Sequence, residues 1–588
     1  KIRDRLTEIW DYPRYSSPFR AGKYYFYFKN DGMQNQSVIY IQEGLDGESR
    51  IFLDPNTFSE DGTVALSSLS ISNDDRYFAY GISRAGSDWV EVKVIEIETG
   101  KELDDLIEWI KFSGIAWRGD GFYYSRYDEP KPGEALSGKN EFHKVYYHKL
   151  GTPQSEDKLV YMNPDFPLRN YGVSVTKDER FLILNETETT SGNALYVQDL
   201  GKRNPKFVKI VDGFDHDYSV LDNIGDQLLV LTNFNAPRKK LVLIHPDKPQ
   251  PENWTLVIPE KEEVLRGASL IGGRIAATYM QDATSRAYLY DFDGNFINEV
   301  NLPGIGSMSG FSGKKEDNIA FYTFTSFTFP STIYKFDVAA NKSEVYRASE
   351  IDFETDGYET KQIFYTSKDG TRVPMFITHK KGLRLNGKNP TLLYGYGGFN
   401  VSVTPSFSIS RLILLENGGI YAVANIRGGG EYGKEWHESG VKLQRQNVFD
   451  DFIAAAEYLI DEGYTSPAKL AIQGGSNGGL LVGACMIQRP DLFKVALPAV
   501  GVMDMLRFHK FTIGWAWVGD YGSSDNEEEF HYLLGYSPLH TLQDGVEYPA
   551  TLITTADHDD GECLPLDRGD CTLREAMRIA NEHALKVM

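Results

Sequence analysis

The stretch Lys469-Leu470-Ala471-Ile472-Gln473-Gly474-Gly475-Ser476-Asn477-Gly478-Gly479-Leu480-Leu481-Val482 constrains this chain more than any other. It reads strand, sharp turn, helix. Leu470, Ala471 and Ile472 form the short apolar run of a buried parallel strand. Gly474-x-Ser476-x-Gly478 then demands a tight, strained turn, with small residues flanking a serine whose hydroxyl stands above the sheet. Gly479 to Gln488 reads as a helix whose N-terminal N–H groups face the place where negative charge builds during acyl transfer. Gly/Ser-rich turns are common, so a structural turn is the alternative. The strand before and the helix after make Ser476 a candidate nucleophile.

Strands and helices alternate on both sides of this turn after about Glu350. Gln362–Thr366 and Val373–His379 read as an antiparallel pair around Lys368-Asp369-Gly370. Thr391–Tyr394 and Ile420–Asn425 read as buried strands, Val448–Glu462 as an amphipathic helix, and Val495–Pro498 and Ala550–Thr555 as further strands. This is the order of an α/β-hydrolase. Gly395-Tyr396-Gly397-Gly398 follows a strand, so its N–H groups or the Tyr396 hydroxyl can reach an oxyanion; a plain glycine-rich crossing is the alternative. Gly428 to Gly430 has no Gly-Lys-Ser/Thr after it and reads as structural rather than phosphate-binding. The acid-rich turn Ala556-Asp557-His558-Asp559-Asp560 falls at a strand's C-terminal end, where the acid of a Ser-Asp-His triad belongs.

From about Tyr12 to Ala348 the chain instead repeats every 45 to 60 residues. Seven strand pairs are visible: Tyr24–Phe28 with Val38–Gln42, Tyr77–Tyr80 with Trp89–Ile97, Phe122–Ser125 with Val145–His148, Phe181–Asn185 with Leu195–Gln198, Leu228–Leu231 with Leu241–Ile244, Ile275–Tyr279 with Ala287–Tyr290, and Ile319–Tyr322 with Thr332–Phe336. Seven all-β units of that period predict a seven-bladed propeller, against a pair of β-sandwiches. The charged pairs Asp104-Asp105 and Glu262-Glu263 read as solvated loop faces. The propeller histidines His143, His148, His216 and His245 are assigned no chemistry.

Two or more domains fit a length of 588 residues. A formal net charge of −22 argues against nucleic acid and anionic membrane surfaces as partners. Three cysteines, Cys485, Cys563 and Cys571, imply neither a disulfide framework nor a metal site. No run of 18 apolar residues and no signal peptide is present, which with the low cysteine content predicts a cytoplasmic protein. A removed leader before Lys1 would make it periplasmic or secreted.

Several longer motifs resemble the prolyl oligopeptidase family. Asp11-Tyr12-Pro13, Asp54-Pro55-Asn56 and Gly86-Ser87-Asp88-Trp89-Val90 are similar to its propeller. Tyr394-Gly395-Tyr396-Gly397-Gly398-Phe399-Asn400, Asn425-Ile426-Arg427-Gly428-Gly429-Gly430-Glu431-Tyr432-Gly433 and Gly474 to Gly479 are similar to its catalytic domain. The likeness runs from Lys1 to Asp560. It implies a serine endopeptidase that cuts short peptides after proline, with the propeller as a size filter, no cofactor or metal, and a monomer. By this resemblance Ser476 is the nucleophile, Asp559 the triad acid, and Tyr396 and the Asn477 N–H the oxyanion donors. Trp517 matches the ring that stacks on proline, and Phe399, Val502, Ile513 and Tyr521 match the rest of that slot. The implied organisation is residues 1–11 as part of the hydrolase domain, 12–350 as propeller, 351–560 as peptidase domain and 561–588 as a divergent tail.

The match stops after Asp560. Gly561 stands where the family has an arginine, and its Ala-Gly-His-Gly motif is absent from the sequence. The tail has a capping box, Thr572-x-x-Glu575, and a helical apolar stripe. His583 lies 24 residues after Asp559 and inside that predicted helix, a poor substitute base; His558 matches a non-catalytic position. The expectation is a chain without its usual base, with two alternatives: a non-catalytic isoform that binds peptides or partners, or an esterase.

Overall fold

The structure, a computed structural model, describes residues 1–135, 138–555 and 577. Seven antiparallel four-stranded blades span residues 19–53, 64–110, 116–161, 170–211, 218–258, 264–299 and 307–347. The seven pairs read from the sequence are the two middle strands of each blade, for example Phe181–Thr187 beside Ala194–Asp199. Middle strands are covered on both faces by neighbouring blades, so they are nearly continuously apolar. Inner and outer strands are mixed in polarity: Val64–Ile71 carries three serines, and Lys101–Ile110 five charged residues among ten.

No strand is shared between the first and last blades, so side chains close the ring. Arg20 of the first blade pairs with Asp317 of the seventh, Ser312 Oγ donates to the Pro18 carbonyl at 3.3 Å, and the Arg347 guanidinium sits 4.2 Å from the Tyr27 ring centre. Lys314 reaches across to Asp75 of the second blade, 2.6 Å from both carboxylate oxygens. Arg20, Asp317, Ser312, Lys314 and Asp75 line an axial cavity of about 670 Å³ that draws on six of the seven blades.

One charged pair departs from its expected setting. Asp105 is not on a solvated loop. It lies buried in Lys101–Ile110, 2.9 Å from His148 Nε2, and accepts the Gly151 N–H at 2.6 Å. His148 Nδ1 lies 2.7 Å from Asp157. Burial pulls the His148 pKa down, but the two carboxylates outweigh it and the net shift is upward. The acid is buried because the His148 ring pairs with it, which no linear pattern displays.

The second unit is a seven-stranded sheet: β1 (Tyr358–Thr366), β2 (Arg372–Lys380), β3 (Thr391–Tyr394), β4 (Ile420–Ala424), β5 (Leu470–Gly475), β6 (Val495–Ala499) and β7 (Ala550–Thr551), in spatial order β1-β2-β4-β3-β5-β6-β7. β3 to β7 run parallel and β1 and β2 antiparallel to their neighbours. The helix Gln446–Asp461 buries Val448, Phe449, Phe452, Ala455, Ala456 and Leu459, a stripe of helical period, against this sheet. The N-terminal helix Ile2–Trp10 packs on the same unit: Ile9 joins Leu412, Leu415 and Tyr421, and Arg5 pairs with Glu416 at 2.7 Å.

The two units meet along the glycine-rich loops. Tyr432 Oη donates to Asp282 at 2.7 Å, the Lys434 N–H to the Pro237 carbonyl at 2.9 Å, and Arg266 to Ser402 Oγ at 3.2 Å. Glu431 is buried in this seam, with Oε1 accepting the Val403 N–H at 2.8 Å and Oε2 unpartnered among the described residues. Burial pushes its carboxyl up to about 7, against the smaller pull of its hydrogen bonds and of Arg266. A carboxyl with a raised folded pKa opposes folding once the unfolded chain ionises. Stability therefore falls as pH rises from about 4.3, the ordinary glutamate value, and levels off above about 7. Urea midpoints at pH 5 to 8 are expected to show this slope in the wild type and to lose that part of it in Glu431→Gln; equal slopes would refute the assignment.

Candidate active site

β5 delivers Ser476 at its C-terminal end, and the helix Asn477–Gln488 starts at the next residue. Ser476 has φ +55° and ψ −119°, a left-handed conformation that L residues avoid. Three features hold it there. Its N–H donates to the Ala499 carbonyl of β6 at 2.8 Å, its carbonyl accepts from Gly479 at 2.8 Å, and strand and helix cross without room for side chains. A Cβ on Gly474 would stand 2.3 Å from the Gly478 carbonyl oxygen, and one on Gly478 would stand 2.7 Å from that of Gly395. Thr554 bridges Ala499, so the segment after β7 reaches the level of the elbow.

The Gly395–Phe399 loop leaves the end of β3 beside this turn. The Tyr396 ring packs beside the elbow, 3.6 Å from where a Cβ on Gly478 would stand, with the Ser476 hydroxyl near its phenol. Burial raises the Tyr396 pKa and the serine hydroxyl opposes that, with a net upward shift that keeps the phenol a protonated donor at neutral pH. Its carbonyl accepts Asn477 Nδ2 at 2.6 Å. Asn400 N–H donates to the Gly428 carbonyl at 3.1 Å, so the second glycine loop buttresses the first, in keeping with a structural role.

An aromatic cluster lies next to these groups. Phe399 meets Tyr521 edge-on at 5.2 Å, Tyr521 meets Phe508 at 5.3 Å, and Phe508 stacks on Trp517 at 6.3 Å with planes 14° apart. Trp517 ends the turn Gly514–Trp517, and Ile513 caps that turn. Val502 is buried in the hydrolase core. Tyr521 is also buried, and its hydroxyl is committed to Asn477 Oδ1 at 2.9 Å, so it backs the slot. Gly519, two residues before Tyr521, touches the propeller: a Cβ there would stand 3.0 Å from Thr189.

Of the residues singled out by sequence, the structure gathers Ser476, Asn477, Tyr396, Phe399 and Tyr521, with Trp517 joined through Phe508. Asp559, His558, Gly561, Cys563, Cys571, His583 and the Thr572–Glu575 capping box lie outside the described residues. Sequence reading missed Phe508, Arg445, Asp520 and His437. Arg445 donates to Asn477 Oδ1, and Asp520 accepts the Phe399 N–H at 3.2 Å and lies 3.1 Å from His437 Nε2. Arg445 sits in the polar run Val441-Lys442-Leu443-Gln444-Arg445-Gln446, which looks like a solvated turn.

Comparison with known proteins identifies the family. Residues 1–349 match the family description "Prolyl oligopeptidase, N-terminal beta-propeller domain" and residues 405–565 match "Prolyl oligopeptidase family". The chain belongs to the prolyl oligopeptidase family. It is 49% identical over 562 residues to a prolyl endopeptidase of Elizabethkingia meningoseptica, covering 95% of this chain and 79% of that protein. A solved structure from a study of two prolyl endopeptidases superposes with a TM-score of 0.91 at 38% identity, covering 95% of this chain and 83% of that one. Prolyl oligopeptidase B from Galerina marginata, bound to a 25-residue macrocyclization substrate, gives 0.89 at 34% identity over 94% and 81%. The chain is thus a serine peptidase with an α/β-hydrolase domain and a propeller. The esterase alternative explained the elbow without the propeller and falls away.

The close crossing at the elbow makes a stability prediction. Gly474→Ala places a methyl against a backbone carbonyl and is expected to cost about 1–3 kcal/mol. Gly535→Ala, in the helix Glu527–Tyr536 with nothing within 4 Å of its Cβ, should instead gain about 0.5–1 kcal/mol. Urea denaturation of both variants checks the contrast.

Proposed function

We propose that this peptidase cleaves short peptides on the carboxyl side of proline through an acyl-enzyme on Ser476. The observation that carries the reading is one loop, Tyr396 to Phe399, which packs the Tyr396 ring against the serine turn, bonds the Tyr396 carbonyl to Asn477 and brings an aromatic wall to the slot beside it. Ser476 attacks the scissile carbonyl. The Tyr396 hydroxyl and the Asn477 N–H, the first of its helix, receive the developing oxyanion. Proline's flat ring enters between Trp517 and Phe399, where stacking adds about 0.5–1.5 kcal/mol beyond burial. The named prolyl endopeptidase relatives support this specificity. Asp559 is assigned as triad acid on its motif alone, and the base that takes the Ser476 proton is not identified among the described residues. The axial cavity suits a propeller that admits narrow, extended peptides and excludes folded proteins. A monomer is proposed from the family resemblance, and a cytoplasmic location from the low cysteine content.

A fluorogenic Gly-Pro substrate assayed with the full-length gene product tests the reading. Ser476→Ala should abolish turnover, a loss on the order of 10⁶. Tyr396→Phe should lower kcat by about 10²–10³ with KM little changed. Trp517→Ala should raise KM for Gly-Pro substrates more than for Gly-Ala ones. Efficient cleavage by Ser476→Ala, or no cleavage after proline by the wild type, would sink the proposal.

A further inference from the structure

Arg445 is the largest side chain fully withdrawn from solvent in the described structure. It precedes the helix Gln446–Asp461. One Nη2 hydrogen bond goes to Asn477 Oδ1, Nη1 donates to the Gly440 carbonyl at 3.3 Å, and the guanidinium lies 5.1 Å from the Tyr521 ring centre. Its counter-charge is Asp520, 3.9 Å away and equally buried. A desolvated ion pair contributes little net stability. What it touches is therefore more informative than how strongly it binds.

It touches an amide. A primary amide has one accepting end and one donating end of nearly the same shape. A guanidinium can only donate, so of the two ends of the amide only Oδ1 can accept from Arg445, and the Tyr521 hydroxyl donates to the same oxygen. Asn477 Nδ2 is thereby turned to the Tyr396 carbonyl, 2.6 Å away. The opposite amide orientation would aim an NH₂ group at a cation and set Oδ1 against a carbonyl oxygen. Asp520 anchors the other end of the same loop through the Phe399 N–H.

We propose that Arg445 is a positioning residue of acyl transfer: by holding the Asn477 side-chain amide in one orientation, it ties the loop that carries Tyr396 to the turn that carries Ser476. It touches no substrate and acts through Tyr396. The inference rests on Ser476 as nucleophile and Tyr396 as oxyanion donor.

The test is a double-mutant cycle on the full-length enzyme with a Gly-Pro substrate, active sites titrated with a fluorophosphonate. Arg445→Lys keeps the charge but loses the planar fork. It should lower kcat by about tenfold with KM within about twofold, and slow fluorophosphonate labelling in parallel. In a Tyr396→Phe background the same change should cost less than about twofold, because the group it positions is gone. Equal losses in both backgrounds, or an unchanged kcat per titrated site with only a lower Tm, would overturn the inference and assign Arg445 to folding alone. Where Arg445→Lys does not fold, Asn477→Asp serves. It keeps the oxygen facing Arg445 and removes the donor to Tyr396, and it should lower kcat similarly in the parent and little in Tyr396→Phe; wild-type kcat there overturns the inference. Activity in Ser476→Ala, or full activity in Tyr396→Phe alone, would refute the underlying site reading instead.

Discussion

The left-handed turn at Ser476 is the constraint on which the peptidase half depends. Such a backbone costs on the order of 1–3 kcal/mol, so it persists only where its neighbours leave no other course. Here β6 supplies the Ala499 carbonyl, the helix Asn477–Gln488 takes the serine carbonyl, and glycines at 474 and 478 let strand, helix and the Gly395 loop touch backbone to backbone. Each of these requires the next. β3 must lie between β4 and β5 for Gly395 to arrive at Gly478, and β6 must flank β5 on the other side for Ala499 to face Ser476. The strand order of the sheet is what makes the turn tenable.

The propeller solves a different problem. Its blades share no strand at the closure, so the ring depends on packing between blades and on side chains at one seam. The apolar middle strands supply the packing, and the inner strands can stay polar because they face an axial cavity. A channel wall that needs no apolar residues leaves the innermost strands free to carry serine, asparagine and charge. It also leaves the groups around its mouth, Arg20 with Asp317 and Lys314 with Asp75, paired with one another across blade boundaries.

That same division explains what could be read from the sequence. Middle strands such as Leu228–Leu231 announce themselves because both faces are buried; Lys342–Arg347 at a blade's outer edge and Ser307–Met308 at its inner edge do not. The elbow was legible because strain demands glycines at fixed offsets. Tyr396 was legible as one of two possible donors on a glycine loop after a strand, and Trp517 only through its resemblance to a family, since its spacing carries no chemistry by itself. Asp105 and Arg445 were not legible. Each is a charge in a polar run whose partner, His148 or Asn477, lies 43 or 32 residues away, and pairing across that distance leaves no local mark.

The buried charges share a logic that the linear chain hides. His148 joins Asp105 to Asp157, Arg427 joins Asp451 to Asp369, and Arg445 joins Asp520 to Asn477. In the first two, the basic side chain and its carboxylates satisfy one another, and the result is a cross-link between segments distant in sequence. In the third, a neutral amide stands where a second carboxylate stands in the others. A carboxylate has two equivalent oxygens and would accept from Arg445 in either orientation, with no donor left for Tyr396. Only an amide converts the position of a buried cation into the direction of a hydrogen bond. The substitution of amide for acid at this one cluster is therefore what separates a cross-link from a positioning device, and it occurs at the residue that follows the strained serine.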